Sequence, residues 1–414
     1  MGPTVSIVVV SRHRPADLMR CLTGLSQLDY AKFEIIVVAC PQGLAAIADR
    51  PDRQAIKTVA FDVPNISAAR NLGIAQAAGD LVAFIDDDAV PEPLWLRHLT
   101  APFADPTIAT AGGYVLGRNG LSYQWRARSV DATGHATPLE ISGDALTVPT
   151  PPPGHAVKTE GTNMAVRRSA LAELGGFDPA FRFYLDETDL NMRLAATGGR
   201  TAIVPRALVH HGVAASARRR QDRTPRDLRD IAASQQIFLQ KHCPVAEQDR
   251  AWTAFRQAQR LRLIRAMQSG ALDPTDVIRL MRGLDKGRRE GRERTPHAMP
   301  LLPVSAPFLP YPARTNAPRR LIAGRIWNAA RLRKQAAESA AQGNITTLIL
   351  LGPSTRYHHV RFTDDGYWEQ SGGLWGRSLR DQPLFRPWRF ARRIDAETAR
   401  VTYARGQFDV TLGK

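Results

Sequence analysis

Three runs in the first 88 residues, VSIVVVS (5–11), FEIIVVAC (33–40) and DLVAFIDDD (80–88), are apolar at successive positions rather than alternate ones. A strand with one wet face alternates apolar and polar side chains. A strand that is apolar throughout is buried on both faces, inside a sheet covered by helices on either side. The intervening segments agree. RPADLMRCLTGLSQL (14–28) spaces Leu18, Met19, Cys21, Leu22 and Leu25 helically, with Pro15 near its start. NISAARNLGIAQAAG (65–79) reads as a loop leading into a helix with Gly79 as its stop, and QAIKTVAFD (54–62) as a further strand. Strands alternating with helices at this spacing imply βαβ units. The expected fold class is α/β, a Rossmann-like, mainly parallel sheet flanked by helices.

The order then loosens. PLWLRHLTAPF (93–103) reads as a helix and TIATAGGYVLG (107–117) as a strand. Residues 118–157, rich in Gly, Thr and Pro, read as an irregular excursion over one edge. Helices at 169–178 and 187–199 and a strand at 200–212 close a first domain spanning 1–224. Residues 225–295 read as a basic helical extension. Residues 296–318, with seven prolines, read as a linker or strap. The remainder, 319–414, reads as a basic amphipathic helix (319–341) followed by a small β-rich module.

Charge is divided unevenly. Of 56 Lys+Arg and 39 Asp+Glu, residues 1–214 hold 19 and 21; the other 37 and 18 lie in 215–414, a net of +19 against −2. This points to a polyanionic partner (nucleic acid, an anionic membrane or a phosphorylated acceptor) or to a merely solvated basic surface. The helices bearing Trp252 and Trp327 suit peripheral contact with an anionic membrane, or packing of the same apolar faces on the catalytic domain. Cys21, Cys40 and Cys243 form no CxxC pair, which argues against a zinc knuckle or a disulfide framework and fits a reducing compartment. With no signal-peptide pattern and no run of eighteen apolar residues, a cytoplasmic location is expected, extending to the inner face of the cytoplasmic membrane. A P-loop is absent, a nucleotidyltransferase lacks its Gly-rich loop here, and no nucleic-acid motif supports that partner.

Asp86, Asp87 and Asp88 follow the last apolar run directly. In an open parallel sheet, ligands bind beyond the carboxyl ends of the strands. While strand geometry lasts, Asp86 and Asp88 face the same way, as a pair of hard oxygen ligands for Mg²⁺ or Mn²⁺ and a substrate diphosphate. A solvated turn is the alternative. A second acidic cluster, Asp186, Glu187 and Asp189 in YLDETDLNMRL, stands at a helix start, where it either caps the helix or supplies a general base.

Four segments, in order, resemble the family 2 glycosyltransferases with the GT-A fold, over residues 4 to about 242. They are VSIVVVSRHRPADLMRCLTGL, NISAARNLGIAQAAGDLVAFIDDDAVP, GTNMAVRRSALAELGGFD and YLDETDLNMRL. The resemblance implies inverting, metal-dependent transfer of a sugar from a nucleotide sugar, by default a UDP-sugar, to a glycan or lipid-linked acceptor in cell-surface polysaccharide synthesis. It puts Asp86 and Asp88 in the metal motif, with His210 or His211 completing the shell or touching the diphosphate. It aligns Glu187 with the base, Asp186 being the other register. Arg70 and Asn71, with Arg12 and Asp87, fall on the donor side. Asn163 and Asp189 fall on the acceptor side, Asp189 also suiting a helical ion pair with Arg193. One departure is that Ala39, Cys40 and Pro41 stand where the family carries a base-contacting aspartate, leaving Asp62 as a substitute.

Overall fold

The computed structural model describes residues 2–212, 218–220, 222–296 and 306–412. The first part runs β1 (Val5–Ser11), α1 (Pro15–Leu25), β2 (Phe33–Ala39), α2 (Pro41–Ala48), β3 (Ile56–Ala60), α3 (Ile66–Gln76) and β4 (Leu81–Asp86). β5 (Ala89–Pro91), α4 (Trp95–Thr100) and β6 (Ile108–Leu116) follow, then β7 (Tyr123–Trp125), β8 (Arg128–Val130), β9 (Ala136–Pro138) and β10 (Ala156–Lys158). β11 (Met164–Arg167), α5 (Arg168–Leu174), α6 (Asp186–Ala196) and β12 (Arg200–His211) complete the unit. The sheet order is β3-β2-β1-β4-β11-β6-β12-β5, with β7 on β6. β1, β2, β3 and β4 are parallel to one another, and β12 is parallel to β6. β11 and β5 are antiparallel to their neighbours. The result is an α/β fold on a mixed, mainly parallel sheet. The strands read from sequence as doubly buried are so: every residue of β2 is buried, with separate apolar clusters on the two faces of β1, β2 and β4.

The segment 118–157 is more ordered than the sequence suggested. β8 pairs with both β9 and β10 in a small antiparallel sheet. α3 ends at Gln76, before Gly79, because Ala77 is already extended.

Helices α7 (Arg229–His242), α8 (Val245–Gln268) and α9 (Pro274–Glu293) then pack together around Leu239, Trp252, Leu263, Leu280 and Leu284. This corrects the membrane reading of Trp252, which is buried with its ring 4.7 Å from the Arg288 guanidinium. An apolar face that covers another helix has no surface left to insert into lipid. Part of the proline-rich stretch, 297–305, lies outside the described residues. The rest is a strap along β2: Tyr311 N–H donates to Phe33 O at 2.8 Å, and Leu309 N–H to Glu34 Oε2 at 2.9 Å.

The C-terminal part departs from the sequence reading. It runs β13 (Arg319–Arg325), α10 (Ala329–Ala341), β14 (Ile345–Gly352), β15 (His359–Phe362), β16 (Trp368–Gly373), α11 (Phe390–Arg405) and β17 (Asp409–Leu412). The expected helix 319–341 is a strand and then a shorter helix, and Trp327 lies in the turn between them, 66% exposed. The module is itself α/β: β13 pairs in parallel with β14 and β17, and β14 with β16. A short apolar run bounded by arginines reads equally as helix or strand; pairing on both sides of β13 decides it. Among the described residues no helix is long and apolar enough to cross a membrane.

Candidate active site

β4 ends at Asp86, so alternation does not carry through to Asp88. The chain turns at Asp87 and Asp88 into β5, which lies against β12 with His211 opposite Ala89. Asp88 O accepts Gly212 N–H at 2.8 Å. This short pairing brings Asp88 back beside Asp86 and sets both against His211, their ligand atoms all within 4.8 Å of one another. His211 Nε2 lies 3.1 Å from Asp88 Oδ1. Burial alone would lower the His211 pKa, but Asp88 and Asp86 outweigh it and raise it. Two carboxylates and an imidazole brought to one point in this way fit a divalent ion. Two carboxylates with one imidazole suit Mn²⁺ better than Mg²⁺, which prefers an all-oxygen shell.

Asp87 serves the turn. Its carboxylate is fully buried, accepting from Ser11 Oγ at 2.7 Å and pairing with Arg14. Burial pushes its pKa up to about 7, against the pull of Arg14. Arg14, which sequence reasoning passed over, also reaches Asp88 Oδ2 at 3.1 Å. It orients both aspartates from the start of α1.

The second acidic cluster lies across Arg70. This side chain is buried on α3 beside the rings of Phe84 and Phe177, 5.9 and 5.2 Å from its guanidinium. It pairs with Asp186 and reaches Asp86 at 3.4 Å, linking the two carboxylate groups. Gly161 packs directly on the guanidinium: a Cβ there would stand 2.2 Å from Nη2. Tyr184 and Leu185 precede α6 in left-handed conformations, φ 74° and 64°, which cost a non-glycine residue energy. Leu185 is held there by burial against Ile237 and Phe238 of α7, and the kink delivers Asp186 and Glu187 to the site.

These two acids differ in state. Burial raises Asp186 even though Arg70 pulls the other way. Burial would also raise Glu187, but Lys158 at 3.2 Å and then Arg70 outweigh it and hold Glu187 lowered, so it stays ionised. Lys158 ends β10, just past the segment read as irregular, its partner Glu160 follows two residues later, and no local pattern marked either.

The remaining predicted residues do not join this cluster. His210, next to His211 on β12, faces the opposite way and meets Glu92 at 2.8 Å. Asn163 is wholly buried, donating to Tyr114 O and Ala207 O at 2.9 and 2.8 Å and accepting from Trp95 Nε1 at 2.7 Å. Asn71 clasps the backbone of Phe177 at 2.7 and 2.8 Å. Asp189 binds Arg193, His242 and Lys241 at 2.8 to 2.9 Å, tying α6 to α7. Arg12 pairs with Asp62 at 2.8 Å, both partly exposed beyond β1.

Residues 3–228 match the family described as "Glycosyltransferase like family 2". The O-antigen biosynthesis protein RfbC of Myxococcus xanthus is 32% identical over 240 residues, 54% of this chain and 18% of that protein. A pre-mycofactocin glycosyltransferase of Mycobacterium tuberculosis is 29% identical over 223 residues, 51% of this chain and 43% of its own. The chain thus spans less than half the length of these two relatives. The succinoglycan biosynthesis protein ExoM of Rhizobium meliloti is 28% identical, over 50% of this chain and 67% of its own. Among solved structures, a mannosyltransferase from Pyrobaculum calidifontis in complex with GDP-Man and Mn²⁺ aligns with a TM-score of 0.43 at 17% identity, over 70% of this chain and 88% of that one. With over half its residues covered by one family, and that family's acidic segments meeting in a single site, the chain belongs to the family 2 glycosyltransferases.

Proposed function

We propose that the protein is an inverting glycosyltransferase that moves a sugar from a nucleotide-sugar donor to a hydroxyl of a glycan or lipid-linked acceptor in cell-surface polysaccharide synthesis. The observation that carries this is the division of the acidic residues. Asp86 and Asp88 with His211 form a cation-binding edge, and Glu187 forms a separate carboxylate held ionised by Lys158. A divalent ion at that edge supplies charge neutralisation for a departing nucleoside diphosphate. Glu187 accepts the proton of the attacking hydroxyl as the new glycosidic bond forms, and a single displacement inverts the anomeric carbon. Arg70 keeps the two acidic groups in register, and Asp186 is more readily protonated than Glu187, which leaves one base rather than two.

The test is a screen of nucleotide sugars, UDP-sugars first, with Mn²⁺ and with Mg²⁺, followed by Glu187→Gln. This variant should bind the donor normally and lose transfer by roughly 10²-fold or more. If Glu187→Gln turns over at the normal rate, Glu187 is not the base.

A further inference from the structure

A cavity of about 610 Å³ opens beside the metal edge and is walled by two separate parts of the chain. Asp88, His211 and Arg118 line it from the catalytic unit; Arg333 and Lys334 of α10 and Arg361 of β15 line it from the C-terminal unit. The walls are fixed to each other. Val90 and Leu121 form one apolar cluster with Val360, Phe362 and Trp368 across the junction, and Val360 N–H donates to Asn119 O at 2.8 Å. Behind them, buried Arg405 makes a two-pronged pair with Glu92 at 2.7 and 2.9 Å.

The C-terminal wall holds three cations, Arg333, Lys334 and Arg361, with three carboxylates, Glu369, Asp364 and Asp365, but the pairing is uneven: two of the cations share one carboxylate, and Asp364 is taken by Arg20 of the catalytic unit. Arg333 and Arg361 share one carboxylate, Glu369, at 2.8 and 3.2 Å. Lys334 is exposed and makes no ion pair among the described residues. Asp364 and Asp365 also line the cavity but are exposed, and Asp364 is engaged by Arg20 at 2.8 Å. Guanidinium groups already oriented by Glu369, with an ammonium beside them, form a receptor for a phosphate. The donor's diphosphate already has the acidic edge and its cation. A second cationic wall, contributed by a separate α/β unit, addresses a second anion.

The geometry points to a phosphate subsite for the acceptor: the C-terminal unit holds a mono- or diphosphate ester carried by the acceptor at Lys334, Arg333 and Arg361. This rests on the glycosyltransferase reading and extends it to the class of acceptor. The phosphate belongs either to a lipid carrier or to a soluble phosphorylated glycan.

The experiment uses the full chain in EDTA, so that no metal can hold the probe. Inorganic pyrophosphate, farnesyl diphosphate and farnesol are titrated calorimetrically. Both diphosphates should bind and farnesol should not. Lys334→Glu and Arg361→Glu should each weaken diphosphate binding about tenfold or more, while Lys334→Arg retains it. Tighter binding of farnesyl diphosphate than of pyrophosphate assigns a lipid-linked acceptor; equal binding assigns a soluble one. No diphosphate binding by the wild-type protein, or binding unchanged in both Glu variants, overturns the subsite. Donor affinity of the wild-type protein with Mn²⁺ judges the glycosyltransferase reading separately.

Discussion

Arg405→Met removes the cation that joins the two α/β units, and its cost follows from the surroundings. Arg405 is 1% exposed, gripped by Glu92 at 2.7 and 2.9 Å, bonded to Thr347 Oγ1 at 3.1 Å and stacked 4.3 Å over Trp368. Methionine keeps much of the volume and the contact with Trp368 but leaves Glu92 buried with only His210 for company. Breaking one side of a buried pair costs about 3–5 kcal/mol. That corresponds to a fall in Tm of about 3–6 °C in a chain this long. The pH dependence gives the sign. Although burial opposes it, Arg405 depresses the Glu92 pKa to about 2. The pair's contribution is therefore present above the ordinary glutamate pKa and lost as pH falls towards 2. In Arg405→Met the carboxyl pKa rises instead, so the deficit against wild type is largest at neutral pH and shrinks on acidification. Because Glu92 directly follows β5 and Asp88 directly precedes it, Mn²⁺ affinity should fall as well. Thermal unfolding from pH 4 to 8, with a cycle through Glu92→Gln and the double variant, is the assay. A loss below ~1 kcal/mol, or strictly additive single variants, refutes the clamp.

Asp88→Ala should abolish Mn²⁺ binding by calorimetry while circular dichroism stays native; unchanged affinity would remove this edge as the metal site. Lys158→Met should let burial raise the Glu187 pKa, moving the acidic limb of kcat/KM to higher pH; an unmoved limb would mean that Lys158 does not set the state of the base. Gly161→Ala should push the Arg70 guanidinium off Asp186 and reduce transfer by at least about tenfold with the fold kept, since the guanidinium is buried and cannot swing into solvent; normal kinetics would show that Arg70 is not needed in this position.

Much of the site's outline was legible in the sequence. Continuous apolar runs identify β1, β2 and β4, because burial on both faces leaves its mark at every position of a strand. The acidic run at the end of β4 and the acids at the start of α6 are likewise visible locally, since carboxylates stand out at the end of an apolar run and at a helix start. What local pattern reports is a residue's own element, not its partner. The choice between His210 and His211 rested on which face of β12 turns towards Asp88, and that is fixed by the antiparallel pairing with β5. Lys158 acquires its role only where β10 meets α6. Trp252 looked available to a membrane until α9 covered it.

What the sequence by itself determined is the doubly covered sheet and the positions of its acidic groups, because backbone period and burial are written residue by residue along each strand. What only the tertiary structure decided is the C-terminal unit and its place at the active-site edge. β13 becomes a strand because β14 and β17 satisfy its backbone on either side. Glu92 and Arg405, separated by 313 positions, become a pair only when two sheets meet and leave each charge no other partner of comparable strength.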